Sequence, residues 1–195
     1  MQRESKSVDP QNAESVRANL QMGAGELNLT GGADKLMESD FSYNVADWKP
    51  KVSYDVSGDE GELVVKQGSG GQGVGLCGKA RNEWNISLND ELPTDLVVRL
   101  GAGESDLDLD SLTLTGVDVR MGAGKSTVDL TGDYAKGFDA TIQGGVVEAT
   151  VLLPSEVGVK AKAQGGLGKL NAEGFKRVAT RTSTTPTANR TSPSA

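Results

Sequence analysis

Gly122-Ala-Gly-Lys-Ser-Thr127 reads like the end of a phosphate-binding loop, in which glycine N–H groups cradle phosphate and a Lys neutralises it. The full pattern needs another Gly five residues before the second, where this chain has Val119, and a helix after Lys-Ser. The next residues, Val128-Asp-Leu130, alternate like a strand instead. The same frame recurs with Glu26 and Glu104 at the Lys125 position, and a glutamate there repels phosphate. The segment therefore reads as a structural corner, and no nucleotide is expected.

Asp106, Asp108 and Asp110 alternate with Leu107 and Leu109, so in a strand the three carboxylates share the outer face. A repeat register puts Asp129 one rung from Asp108, where a Ca²⁺ ion would relieve their repulsion. Asp108 and Asp129 are the metal candidates. The competing reading is a solvated face, and Leu152 at the next rung favours it. Phe41, Tyr43, Trp48 and Tyr54 make up half of the chain's aromatic residues (three Phe, two Trp, three Tyr) within one short segment. They form either a sugar- or partner-binding platform or a cap on an open core. Cys77, the single cysteine, lies in Gly73-Val-Gly-Leu-Cys-Gly78 and reads as an incidental thiol. The chain has no His, which removes the commonest general base and metal ligand.

The elements that carry these residues are short alternating segments. Val52/Tyr54/Val56, Leu63-Val-Val65, Ile86/Leu88, Leu96/Val98/Leu100, Val117/Val119/Met121 and Val128/Leu130 all have strand periodicity. No amphipathic helix is expected. There are 26 glycines in 195 residues, about twice the usual share, and they punctuate the alternating segments as turns do. Met22-Gly-Ala-Gly-Glu-Leu-Asn-Leu29 resembles Leu100-Gly-Ala-Gly-Glu-Ser-Asp-Leu-Asp-Leu109 and Met121-Gly-Ala-Gly-Lys-Ser-Thr-Val-Asp-Leu130. Weaker copies begin at Gly144 and Gly165. Taking Gly101, Gly122, Gly145 and Gly166 as equivalent gives spacings of 21, 23 and 21 residues. That period predicts an all-β, single-stranded β-helix (solenoid) with coils of 21–23 residues and glycines at the corners. A leucine-rich horseshoe is excluded because its Leu-x-x-Leu-x-Leu-x-x-Asn frame is absent.

The expected layout is a mobile N-terminal arm over 1–17, the β-helix over 18–176 with a Gly-rich loop at 68–78, and a Ser/Thr/Pro-rich tail over 177–195. The net charge of -7, without a dense Lys/Arg stripe, argues against nucleic acid. No apolar run reaches membrane-spanning length, and the first ten residues lack a signal-peptide core. Membrane association is expected only through an anchor outside this sequence.

Met22-Gly-Ala-Gly-Glu-Leu27, Gly31-Gly-Ala-Asp-Lys-Leu36, Phe41-Ser-Tyr-Asn44, Asn82-Glu-Trp-Asn85, Leu92-Pro93, Leu153-Pro154 and Gly165-Gly-Leu-Gly168 together resemble the toast-rack N-terminal domain of bacterial envelope proteins. More loosely, the chain is similar to adhesin-like proteins and to the C-terminal domain of LiaF-type cell-wall-antibiotic-response proteins. The resemblance runs from about Glu14 to Phe175. It implies a right-handed β-helix in an extracytoplasmic setting and no catalytic residues. Relatives continue with a pattern like Gly-Asp-x-Tyr-x-Asn-x-x-Tyr-Gly where this chain has Val178-Ala-Thr-Arg-Thr-Ser-Thr-Thr-Pro. A shifted reading frame is compatible with that missing ending, so residues from Val178 are read either as a native tail or as a frameshifted final coil.

These readings converge on a non-catalytic envelope module without a cofactor, presenting a rigid solenoid face to an envelope protein or a cell-wall component. The alternative is a carbohydrate-active or Ca²⁺-binding β-helix protein.

Overall fold

The computed structural model describes residues 1–69 and 80–153 in full, and the backbone of 160–167 and 170–173. The fold is all-β: eleven strands in an open sheet system and no α-helix among the described residues. Cys77, most of the 68–78 loop and the 177–195 tail lie outside the described residues.

Three long strands carry the Gly-Ala-Gly copies: β2 (Ser15–Thr30), β7 (Thr94–Asp108) and β8 (Leu114–Asp129). β9 (Asp139–Leu152) continues the series. They pair in parallel in the order β2-β7-β8-β9, followed by β10 (Lys160–Leu167) and β11 (Leu170–Glu173) on β9. The partners Leu100↔Met121, Met121↔Gly144 and Gly144↔Gly165 reproduce the 21-, 23- and 21-residue spacing of the repeat.

Each long strand bends at its glycines, and the burial pattern shows how. In β2 the buried positions are Val16, Ala18, Leu20 and Met22, then Leu27 and Leu29. An unbroken strand would keep the same parity and turn Leu27 outward. The Gly-Ala-Gly corner shifts the phase by one residue, so both halves of the strand face one core. β7 and β8 repeat the shift: Leu100 and Met121 precede the corner, Leu107 and Val128 follow it. Gly103 and Gly124 hold φ of 134° and 130°, which side-chain-bearing residues rarely adopt. A Cβ on either would overlap the carbonyl oxygen of the corner glycine in the preceding rung.

Inside the stack, like side chains lie over like. Leu20, Val98, Val119 and Ile142 form one column, and Leu29, Leu107, Val128 and Val151 another. Ser105 and Ser126 interrupt a third column, where the Ser105 hydroxyl donates to Ser126 Oγ at 2.8 Å and satisfies an otherwise costly burial. The links after β7 and β8 close the third side of the core with Leu112, Tyr134 and Phe138, all buried.

Residues 31–93 interrupt the parallel series. They leave β2 and form antiparallel structure before β7 returns to pair with β2. β3 (Met37–Tyr43) pairs with β6 (Asn82–Leu88), which lies against the second half of β2. β4 (Lys51–Ser57) pairs with β5 (Glu60–Lys66), which lies against its first half. A 3-10 turn, Ala46–Trp48, precedes β4.

Residues 1–17, expected as a mobile arm, are instead β1 (Gln2–Val8) and the start of β2. β1 forms a seven-residue antiparallel ladder with β3. Its charged sequence hides the strand because an edge strand needs partners for its backbone groups more than apolar side chains. Ser39 Oγ donates to the Lys6 carbonyl at 3.1 Å, and Glu4 pairs with Lys6 and Lys49 at 3.3 Å each.

Candidate functional site

The bend divides the outer surface into two faces that meet at the glycine corner. On the first face, one register position reads Lys66, Gln21, Arg99, Arg120 and Gln143 across β5, β2, β7, β8 and β9. Lys51 continues it onto β4. On the second face, the position just past the corner reads Glu83, Glu26, Glu104, Lys125 and Glu148. A basic column and an acidic column therefore run along the stack on opposite sides of the corner.

An open groove of about 790 Å³ follows the corner on the basic side. Gly101 and Gly122 leave its floor without side chains, and Met22, Leu100 and Met121 border it. Lys66, Arg99 and Arg120 stand along its wall. Arg120 is engaged by Asp118 through two contacts of 2.9 and 3.1 Å. Arg99 reaches only Asn19 Oδ1, at 3.4 Å, and neither it nor Lys66 has a carboxylate partner within 4.0 Å among the described residues. Gln67, also on the groove, accepts from the N–H groups of Gly23 and Ala24 at 2.8 and 3.2 Å and ties the end of β5 to the corner. Sequence reading missed this column. Its members are far apart in the chain, and only the inter-strand register collects them.

The Gly122–Thr127 segment lies within β8 and leads into no helix, so its glycines serve the corner. Lys125 sits on the acidic column, between Glu104 and Glu148 in register.

Asp108 and Asp129 are register partners on adjacent rungs. Asp129 Oδ1 accepts the Thr131 N–H at 2.8 Å. Burial, then the neighbouring charges of Asp108 and Asp129, push the Asp110 carboxyl above its usual range. No group of three or more His, Cys, Asp or Glu converges on one point among the described residues. Two carboxylates supply few of the six to eight oxygens that Ca²⁺ takes.

The four aromatic residues of the 41–54 segment do not form one surface. Phe41 and Tyr43 are buried, at 1% and 3% exposure, which withdraws them from any external platform. Phe41 packs edge-on against Trp84 with ring centroids 5.4 Å apart, and Trp84 is in register with Leu27 of β2. Trp48 and Tyr54 are half-buried, and the Tyr54 hydroxyl donates to the Pro10 carbonyl at 2.8 Å. Trp84, fully buried, donates from Nε1 to Asn82 Oδ1 at 3.0 Å, and Asn82 Nδ2 donates to the Ala24 carbonyl at 2.9 Å. This chain of contacts runs from the aromatic end layer to the first corner. Tyr134 and Phe138 make a second edge-on pair, and burial pushes the Tyr134 hydroxyl well above the usual tyrosine range.

The bent-strand stack and its end layer define a class of all-β repeat domain whose outer strand faces are the available surface. Residues 1–152 match the family described as the N-terminal domain of toast-rack, a domain of unknown function. The chain belongs to this family. It is also similar to a solved structure described as a "putative cell adhesion protein" from Clostridium sporogenes, with 32% identity and a TM-score of 0.84 over 88% of this chain and 98% of that one. A "putative adhesin" from Parabacteroides merdae aligns over 89% of this chain and 94% of that one, but at 10% identity and a TM-score of 0.26 it is too distant to inform the fold. No curated protein matches the sequence significantly. No helix among the described residues is long and apolar enough to cross a membrane.

Proposed function

We propose that the chain is a non-catalytic, extracytoplasmic adhesion-type module of the bacterial envelope, presenting one rigid outer face to an envelope protein or cell-wall component. The observation that carries this reading is the likeness, over 88% of this chain, to a structure described as a "putative cell adhesion protein". The stack supports it physically. A scaffold with three-sided internal packing and in-register rungs holds its outer side chains in fixed columns and loses little order on binding. The β2-β7-β8-β9 series is read as successive coils of a single-stranded right-handed β-helix. The parallel in-register pairing supports coils, and parallel crossovers are right-handed in about 98% of cases.

The test is labelling of intact cells producing the native protein with a membrane-impermeant amine reagent. Exposed Lys49, Lys51 and Lys125 offer targets. Labelling in unbroken cells is expected. Labelling only after lysis overturns the extracytoplasmic reading.

A further inference from the structure

We infer that the corner groove binds a linear polyanion, an anionic wall-type glycan or polyol polymer with one charged group per repeat, lying along the stacking axis. The inference deepens the proposed function and rests on its reading of the outer face as a binding surface.

Charge is the first argument. The chain carries a net -7, yet one register position gathers Lys51, Lys66, Arg99 and Arg120. At roughly 4.8 Å per rung, Lys66 and Arg120 stand about 14 Å apart along the axis, and the column reaches about 19 Å at Lys51. Gln21 separates Lys66 from Arg99, so the cations stand as two adjacent pairs about 10 Å apart, and charge spread over that length matches a polymer better than a single small anion. Gln21 and Gln143 fill the same column with neutral donors and acceptors suited to hydroxyl groups.

Availability is the second. Arg99 and Lys66 have no carboxylate partner among the described residues, so a ligand anion need not displace one. Shape is the third. The floor, open at Gly101 and Gly122, leaves room for the C–H side of a sugar or polyol while Lys66, Arg99 and Arg120 on the wall meet its charges. No aromatic side chain lines the groove among the described residues, so it lacks the stacking platforms that single-stranded nucleic acid uses.

The test is titration of the purified full chain with inorganic polyphosphate and with polygalacturonate at low salt, followed by fluorescence anisotropy or calorimetry. Binding of either is expected, weakening as salt rises. Preference for one probe assigns the anion as phosphate or carboxylate. Arg99→Gln and Lys66→Gln are each expected to weaken it at least about tenfold, the loss of one charge-assisted contact. Lys125→Gln, on the acidic column, is expected to leave it unchanged. Matching thermal midpoints establish that the variants are folded. No binding by folded wild-type protein, equal loss in Lys125→Gln, or tighter binding of oligothymidine than of both probes would each overturn the inference. Failure here leaves intact-cell labelling untouched, so the two readings fail separately.

Discussion

Asp110 shows how the acidic edge near the third side of the core trades stability for charge. Its carboxyl is pushed up by burial and by Asp108 and Asp129, so the folded chain holds that proton more tightly than the unfolded one. A raised carboxyl contributes stability below its ordinary value, and that contribution is lost as pH rises through the folded value. The wild-type midpoint is therefore expected to lose this contribution as pH rises above the ordinary carboxylate range. Asp110→Asn should match the wild type at low pH and melt higher at pH 7. Thermal unfolding at both pH values checks it, and a lower midpoint at pH 7 for the variant contradicts it. The alternating Asp and Leu of residues 106–110 made this outward face legible in the sequence. The additive effect of burial and two neighbours on one carboxyl was not, because Asp129 arrives from another rung.

At the scale of the element, the corner decides whether a strand of this length can face one core along its whole length. Gly103 has no room for a Cβ and a φ open to few residues. Gly103→Ala is expected to cost at least ~3 kcal/mol, combining backbone strain with overlap on Gly25. Gly32 also holds a positive φ of 86° but faces open space, so Gly32→Ala should cost only ~1–2 kcal/mol. Urea unfolding of the two variants separates the effects, and equal costs would contradict the stacked-corner account. The Gly-Ala-Gly repeat and its spacing were readable because each copy sits in a local alternating pattern. β1 was not, since Gln2–Val8 shows no apolar alternation and is held by backbone pairing with β3. Residues 31–93 showed their strands, but not that those strands pair antiparallel at one end of the stack. Pairing partners separated by dozens of residues leave no local signal.

For the whole molecule, the bend converts a one-dimensional repeat into two outer faces that meet at the glycine edge, with a basic column on one side of it and an acidic column on the other. The basic column was hidden in a sequence whose net charge is -7. The aromatic cluster dissolved into buried and half-buried positions once the register placed Phe41 on Trp84. Rigidity of the shared edge is what both the continuous stack and the proposed binding face require. Native-state amide hydrogen exchange tests it most directly, because interior ladder amides open only with the cooperative unit that contains them. Across β7 and β8, the corner amides of Ala102–Glu104 and Ala123–Lys125 are expected to be protected as strongly as those of Val98 and Val119. Fast exchange at the corners beside slow exchange in the flanking strand halves would show hinges there, and would contradict a continuous, rigid stack.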